Sequence, residues 1–332
     1  MAFQKCCKPK RKGGLGIINL RSQNKALLLK HLDKFYNKKE VPWVKLIWNA
    51  HYPNGQIPHV TSDKGSFWWR DVLKLCDMFR GIATCKVGDG STVLFWLDFW
   101  NDNIMQTKYP RLYTFAKNKN ISVVQFLTNN TLEIQFHLPL SEQAYHEYQS
   151  LQDYLQIIQV QQEDKDTWQY IWGNNTYSSS KLYNLPYKNI QPPKPLVWIW
   201  DSKCCNKFGV FTWLLLMDRR NTRNILKRKK QKLEGDDYNC VLCNRNMEET
   251  AFHLFFGCPF SQSCWQQLDI HWNLSADLFQ MITQAKQQFS STFLMEIFII
   301  GAWQTWKQRN NFIFDRGRPS LVSWKQNFVE EP

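Results

Sequence analysis

Apolar residues recur at helical spacing over several stretches of this 332-residue chain. Arg21 to Phe35 reads as a helix in which Leu27, Leu28, His31 and Leu32 follow a 3.6-residue period. Pro42 to Tyr52 predicts a second helix, with Pro42 in its first turn and Trp43, Leu46 and Ile47 facing inward. Ser66 has the chemistry of an N-cap for a helix through Met78, with Trp68, Val72 and Leu75 as the buried stripe. Further along, Phe208–Met217 reads as a buried helix and Thr222 as the cap of a basic helix over Arg223–Lys232. Ser261–Leu268 and a long segment from Ser291 to Phe314 complete the helical pattern.

Strand signals are short. Two β-prone runs, Thr84–Val87 and Thr92–Trp96, flank Gly88-Asp89-Gly90 and predict a hairpin, because Asp-Gly suits a tight turn. Gly173-Asn174-Asn175 predicts a second one. The expected fold class is therefore mainly α with small β-hairpins (α+β). The expected divisions are a basic helical region over 1–120 with the Gly-Asp-Gly hairpin, a Gln-rich linker-like stretch over 121–165, a Cys-bearing domain over 166–270, and a helical region over 271–332.

Charge sharpens this picture. The chain carries a net charge of +14, and it is unevenly spread. Residues 1–50 hold twelve Lys/Arg against Asp33 and Glu40, and residues 203–232 hold ten against Asp218, whereas 101–200 is neutral. Two basic segments around a neutral body point to a polyanionic partner, RNA or DNA. A solvated surface is the plain alternative. A membrane partner is not expected, since neither segment makes a long Lys-rich amphipathic helix. Aromatics reach 15% of the chain with sixteen Trp, and such rings either fill cores or stack on bases. Ten cysteines behind an N-terminus without an apolar signal segment imply reduced thiols in an intracellular protein, in nucleus or cytoplasm.

One constellation carries metal chemistry. Cys240 and Cys243 are followed by His253 and Cys258 in the pattern C-x2-C-x9-H-x4-C. Zinc takes four tetrahedral N or S ligands, and a two-residue gap lets two thiolates point at one ion. Asn244 and Gly257 are residues that tolerate the tight backbone of such loops. Cys264 is an alternative fourth ligand at a longer gap, and a buried Cys set beside an unrelated His is the metal-free alternative. The expected cofactor is Zn2+ in a CCHC knuckle on a helical body.

At these residues the chain resembles the C-terminal part of plant LINE-type (non-LTR) retrotransposon reverse transcriptases, including the reverse transcriptase zinc-binding domain. The resemblance runs through KCCKPKRKGGLGIINLRSQNKALLLKHL, FWWRDVL, VGDGSTVLFWLDFWNDN and WIWDSKCCNKFGVFTWLLLMDRRNTRNILKRKK. It continues in CVLCNRNMEETAFHLFFGCPFSQSCW and WQTWKQRNNFIF, in the family's order. It implies Cys240, Cys243, His253 and Cys258 as the zinc ligands. It also implies a segment that grips template RNA or target DNA beside the polymerase portion of the parent element, with Trp265 and Phe255 closing the knuckle's core or stacking on a base.

No polymerase-type paired acidic motif is present apart from Gly235-Asp236-Asp237, which sits in a polar loop without a palm around it. Asp89, Asp98 and Asp102 are explained by a turn and a solvent-facing loop better than by a nuclease cluster. The expected function is a non-catalytic nucleic-acid-binding fragment. Its contacts would come from Arg219, Arg220, Arg223, Lys227, Arg228, Lys229 and Lys230. The competing readings are a structural or protein-interaction module with purely structural zinc, and a truncated relic.

Overall fold

The computed structural model describes residues 3–52, 65–129, 131–157, 164–233, 235, 237–289 and 291–331. A short helix, α1 (Phe3–Cys7), precedes a basic loop. Asn19 then starts α2 (Leu20–Tyr36), its side chain accepting from the Ser22 N–H and satisfying one of the open amides of the first turn. The helix buries Ala26, Leu29, Leu32, Phe35 and Tyr36, while Leu27 is about half exposed. The inward stripe is thus offset from the expected one. Leu27, Leu28, His31 and Leu32 satisfy the period, but Phe35 and Tyr36 anchor the core and set the helix's rotation.

Next come α3 (Pro42–His51), α4 (Phe67–Leu73) and α5 (Cys76–Arg80). Ser66 caps α4 as expected, accepting from the Trp69 N–H. The indole turned fully inward is Trp69 rather than Trp68, and Val44 rather than Leu46 is the buried residue of α3.

Strand β1 (Ala83–Lys86) does not form the expected hairpin with Thr92–Trp96. It pairs antiparallel with β2 (Thr167–Tyr170), Ala83 facing Tyr170 and Lys86 facing Thr167. The reason is Asp166, a buried carboxylate that accepts from the N–H groups of Gly88 and Gly90 and from both the N–H and the hydroxyl of Thr92, at 2.7 to 2.9 Å. That nest turns the chain inward, and Val93, Leu94, Phe95 and Trp96 are all buried. Four consecutive buried side chains suit an irregular core segment, not a strand with one face in water. Only glycine fits at position 88, where a Cβ would lie 2.3 Å from the Asp164 carbonyl oxygen. At the second expected hairpin, Gly173 and a bridge between Tyr170 and Asn174 do make a tight turn.

Between the two strands lie α6 (Met105–Lys108), α7 (Pro110–Phe115), α8 (Val123–Thr128), α9 (Leu132–Gln135) and α10 (Glu142–Ile157). The stretch expected to be linker-like is therefore largely helical, apart from residues 158–163, which lie outside the described residues. Val123, Phe126, Phe136 and Leu151 are buried in the same core as Phe35 and Trp168, because the Gln-rich face hides an apolar one. Helix α11 (Ser179–Asn184) packs on α2 and ends this part.

The later helices are α12 (Lys194–Asp201), α13 (Asn206–Leu216), α14 (Arg223–Arg228), α15 (Pro259–Gln266), α16 (Leu278–Gln288), α17 (Leu294–Asp315) and α18 (Leu321–Glu330). Their core gathers Trp213, Phe255, Phe256, Trp265, Phe298 and Ile299.

The chain divides into two compact units, 19–186 and 1–18 together with 187–332, rather than at the boundaries expected from composition. The first eighteen residues join the second unit through specific bonds. The buried indole of Trp213 donates to the Gly13 carbonyl at 2.9 Å, and the Lys12 ammonium donates to the carbonyls of Lys188 and Ile190. Lys10 bonds Asn206 and lies over the Trp200 ring. Among the described residues the fold is mainly helical with one small antiparallel sheet.

Candidate metal centre

The ligand-bearing loop begins where Asn239 and Glu248 form an isolated antiparallel bridge. The Cys240 N–H donates to the Met247 carbonyl at 2.8 Å, so residues 240–247 form a closed knuckle with Cys243 near its tip. Asn246 supplies the left-handed turn residue, with φ of 49°. The expectation that Asn244 and Gly257 meet this need is corrected, since neither is among the positive-φ residues.

The H-x4-C half owes its geometry to a π turn over His253–Gly257. On an α-helix residues five apart diverge by about 140°. The wider turn instead closes with the Cys258 N–H on the His253 carbonyl, bringing the two side chains to one side. Widening the turn frees carbonyls, and the following helix takes them up. The Ser261 hydroxyl donates to Leu254 O, and the Trp265 indole donates to Phe255 O at 2.7 Å. Trp265 and Phe255 therefore close the core, and neither ring is open to a base.

The four ligating atoms of Cys240, Cys243, His253 and Cys258 lie within 4.8 Å of one another. Two thiols, Cys240 and Cys258, are 3.9 Å apart, and Cys243 Sγ is 3.4 Å from His253 Nε2. A disulfide needs about 2.05 Å, so these sulfurs are not bonded. Tetrahedral edges around zinc would be about 3.8 Å between sulfurs and about 3.6 Å from sulfur to nitrogen. The residues fit a metal ion. Cys264 is buried in α15 and falls outside the cluster, which disposes of it as the fourth ligand.

Electrostatics favour thiolate at one corner. The hydrogen bond from Cys240, with the Phe260 and Ser261 amides at the start of α15, brings the Cys258 thiol down to about 6 against opposing burial. The bond to Cys258, together with burial, holds the Cys240 thiol up. Burial likewise raises Cys243. A cation would reverse both upward shifts, because it stabilises the deprotonated form.

Glu249 completes the loop. Its carboxylate is fully buried and accepts from the Arg223 N–H and from the Arg309 guanidinium on α17. Sequence reasoning had no signal for this pairing, because the partners are 60 residues apart.

The expected phosphate-contacting cations are only partly free. Helix α14 is two turns, not the expected run to Lys232, and ends where Lys230 turns left-handed at φ of 57°. Thr222 does cap it. Arg223 pairs with Asp237, Lys227 with Glu248 and Arg228 with Asp218, while Lys229 bonds Asn221. Arg219 is exposed, and its guanidinium donates to the Asp218 carbonyl. Arg220 is turned into the body, over the rings of Phe211 and Trp306. The acidic triplet is likewise disarmed. Asp237 is engaged by Arg223, and Asp236 lies outside the described residues. Asp98 is a buried partner of Arg80, Asp89 faces Lys38, and Asp102 is exposed, so these three form no metal cluster among the described residues.

Residues 177–265 match the family described as zinc-binding in reverse transcriptase. The segment that carries the Cys/His cluster is therefore similar to that zinc-binding family. Two curated proteins of Arabidopsis thaliana are similar to the chain. One, named as a ribonuclease H protein, is 30% identical over 103 residues, which is 30% of this chain and 16% of that protein. The other, an uncharacterized mitochondrial protein, is 28% identical over 102 residues, 30% of this chain and 66% of that protein. The chain thus matches less than two thirds of either relative's length. No solved structure matches it.

Proposed function

We propose that this chain is a non-catalytic, zinc-stabilised nucleic-acid-binding segment of a LINE-type retrotransposon reverse transcriptase. The observation that carries the reading is the convergence of Cys240, Cys243, His253 and Cys258 inside the segment similar to the reverse-transcriptase zinc-binding family. Zinc held there by four side chains has no open coordination position, as in structural rather than catalytic sites. It would cross-link the knuckle to the start of α15 and so steady the basic segment beside it. Thiol ligands suit a reducing intracellular compartment.

Nucleic acid is the partner that the charge supports, with RNA or DNA reached through the phosphates. The exposed pairs Lys227–Glu248 and Arg228–Asp218 contribute about 0–1 kcal/mol each, so phosphate can displace their carboxylates at little cost. Those same pairs favour a second reading, a structural module that contacts the polymerase portion of its parent protein. Zinc content together with the anisotropy of labelled single-stranded RNA and duplex DNA tests both. One zinc per chain with salt-sensitive binding supports the proposal, and zinc without any polyanion binding leaves the structural module. Nucleotide incorporation on any primer-template would overturn the non-catalytic reading.

A further inference from the structure

Within the unit formed by 1–18 and 187–332, α13, α17 and α18 line an open cleft of about 630 Å³ that the metal centre does not use. We infer that it takes one nucleotide, its base stacked on the Trp303 indole and its phosphate at Arg220. This rests on the nucleic-acid reading above and names the subsite through which a single strand, or a free nucleotide, would be held.

The wall is built by helical spacing. Lys207, Val210 and Phe211 share one face of α13, and Trp303, Trp306 and Lys307 face them from α17. Arg220 enters from the loop between α13 and α14, its guanidinium 4.6 Å from the Phe211 ring centre and 4.5 Å from that of Trp306. It is half-buried and has no carboxylate partner among the described residues. Nearby Arg309, by contrast, is fully paired with Glu249.

Burial and the like charge of Arg309 both work against the Arg220 cation. Its Nε and the Trp303 Nε1 are buried without a hydrogen-bond partner. A partly dehydrated guanidinium lacking an anion is costly unless something supplies one. Phosphate is the group whose geometry the guanidinium fork fits. Lys207, exposed at the rim and lying 4.8 Å over the Trp303 ring, adds positive charge, whereas Lys307 is paired with Glu331 at 2.8 Å. Asp315 is the single carboxylate among the lining residues.

The aromatic half decides the class of ligand. Phe211 and Trp306 are buried behind Arg220, so the ring left to a base is the partly exposed indole of Trp303. An anion alone would need no such face, whereas a base stacks on aromatic faces and on guanidinium planes. The volume falls within the roughly 300–1,000 Å³ usual for small-molecule sites. Asn311, on the same wall, offers an amide to a base edge.

The test uses the full zinc-loaded chain, a fluorescein-labelled 12-nucleotide single-stranded RNA read by anisotropy, and AMP and adenosine read by calorimetry. Arg220→Gln is expected to weaken both RNA and AMP about tenfold, the usual scale for losing a charge-assisted hydrogen bond. Arg220→Lys should fall between the two, and adenosine should bind at least about tenfold more weakly than AMP. Melting temperature and zinc content report whether each variant is folded. If Arg220→Gln does not fold, the exposed Lys207→Gln carries the test, and unchanged AMP affinity in it overturns the inference. RNA bound equally by wild type and Arg220→Gln overturns the subsite and leaves the nucleic-acid reading standing. AMP bound through Arg220 with no RNA binding keeps the subsite, as a free-nucleotide site, and sinks that reading. No binding of either probe, or displacement of AMP by polyglutamate, overturns the inference.

Discussion

Arg309 on α17 donates from two nitrogens to the carboxylate of Glu249, at 2.8 to 3.4 Å, and both side chains are buried. The pair ties the metal loop to the longest helix of its unit. Glu249 also accepts from the Arg223 N–H, and its own backbone bonds Tyr238 and Asn224, so one residue fixes three segments. Removing one partner of a buried pair strands the other charge, which typically costs about 3–5 kcal/mol. Glu249→Ala is therefore expected to lower unfolding stability by that order, measured by urea titration. The double variant Glu249→Leu/Arg309→Met should recover part of the loss. Equal stability of wild type and the single variant would refute the role given to the pair.

Asp166 plays the corresponding part in the 19–186 unit. It satisfies three backbone amides and the Thr92 hydroxyl, and Thr92 in turn accepts from the Trp168 indole. A buried donor left without its acceptor costs about 1–3 kcal/mol, and several would be stranded together. Asp166→Ala should unfold this unit, seen as rapid proteolysis within 19–186, while zinc content stays unchanged. Loss of zinc in the same variant would show that the two units do not fold independently.

Metal removal should act on the other unit. Structural zinc contributes apparent binding energies of about 10–16 kcal/mol in small fingers. Chelation or Cys243→Ser should drop metal content from one ion per chain to none. It should open residues 235–268 to proteolysis, with the core around Phe35, Trp69 and Trp168 still protected. Cys264→Ser, outside the cluster, should keep its metal. Metal loss in Cys264→Ser instead of Cys243→Ser would rule out the ligand set.

For single strands, log affinity falls with log salt at about 0.7 per neutralised phosphate. Arg223 is held by Asp237 and by two carbonyls, so it is a poor phosphate ligand. Lys227, Lys229 and Lys230 are exposed at the end of α14. Replacing these three with Gln should flatten the slope by about 2, read by anisotropy between 50 and 200 mM salt, values chosen to bracket about a Debye length of 10 Å. An unchanged slope would mark α14 as a solvated face.

Much of the metal centre was legible in the chain alone, because ligand chemistry is local. C-x2-C and H-x4-C each bring two donors together over one turn, and only the joining of the two halves is tertiary. Capping by Ser66 and Thr222 was equally visible, since an N-cap acts on the amide three residues ahead. What folding alone decided lies at long sequence separation. Period analysis offered Leu27 and Leu46 as inward residues, yet each helix's rotation was set by its largest side chains meeting a distant partner. The Gly-Asp-Gly run carried a sound turn signal, but Asp166, more than seventy residues away, captured its amides and replaced a hairpin with a nest. Charge counts likewise found the basic segment without showing that Arg220 turns inward or that Glu249 waits for Arg309. Spacing determines which groups can act within one turn, and burial determines which distant group must satisfy them.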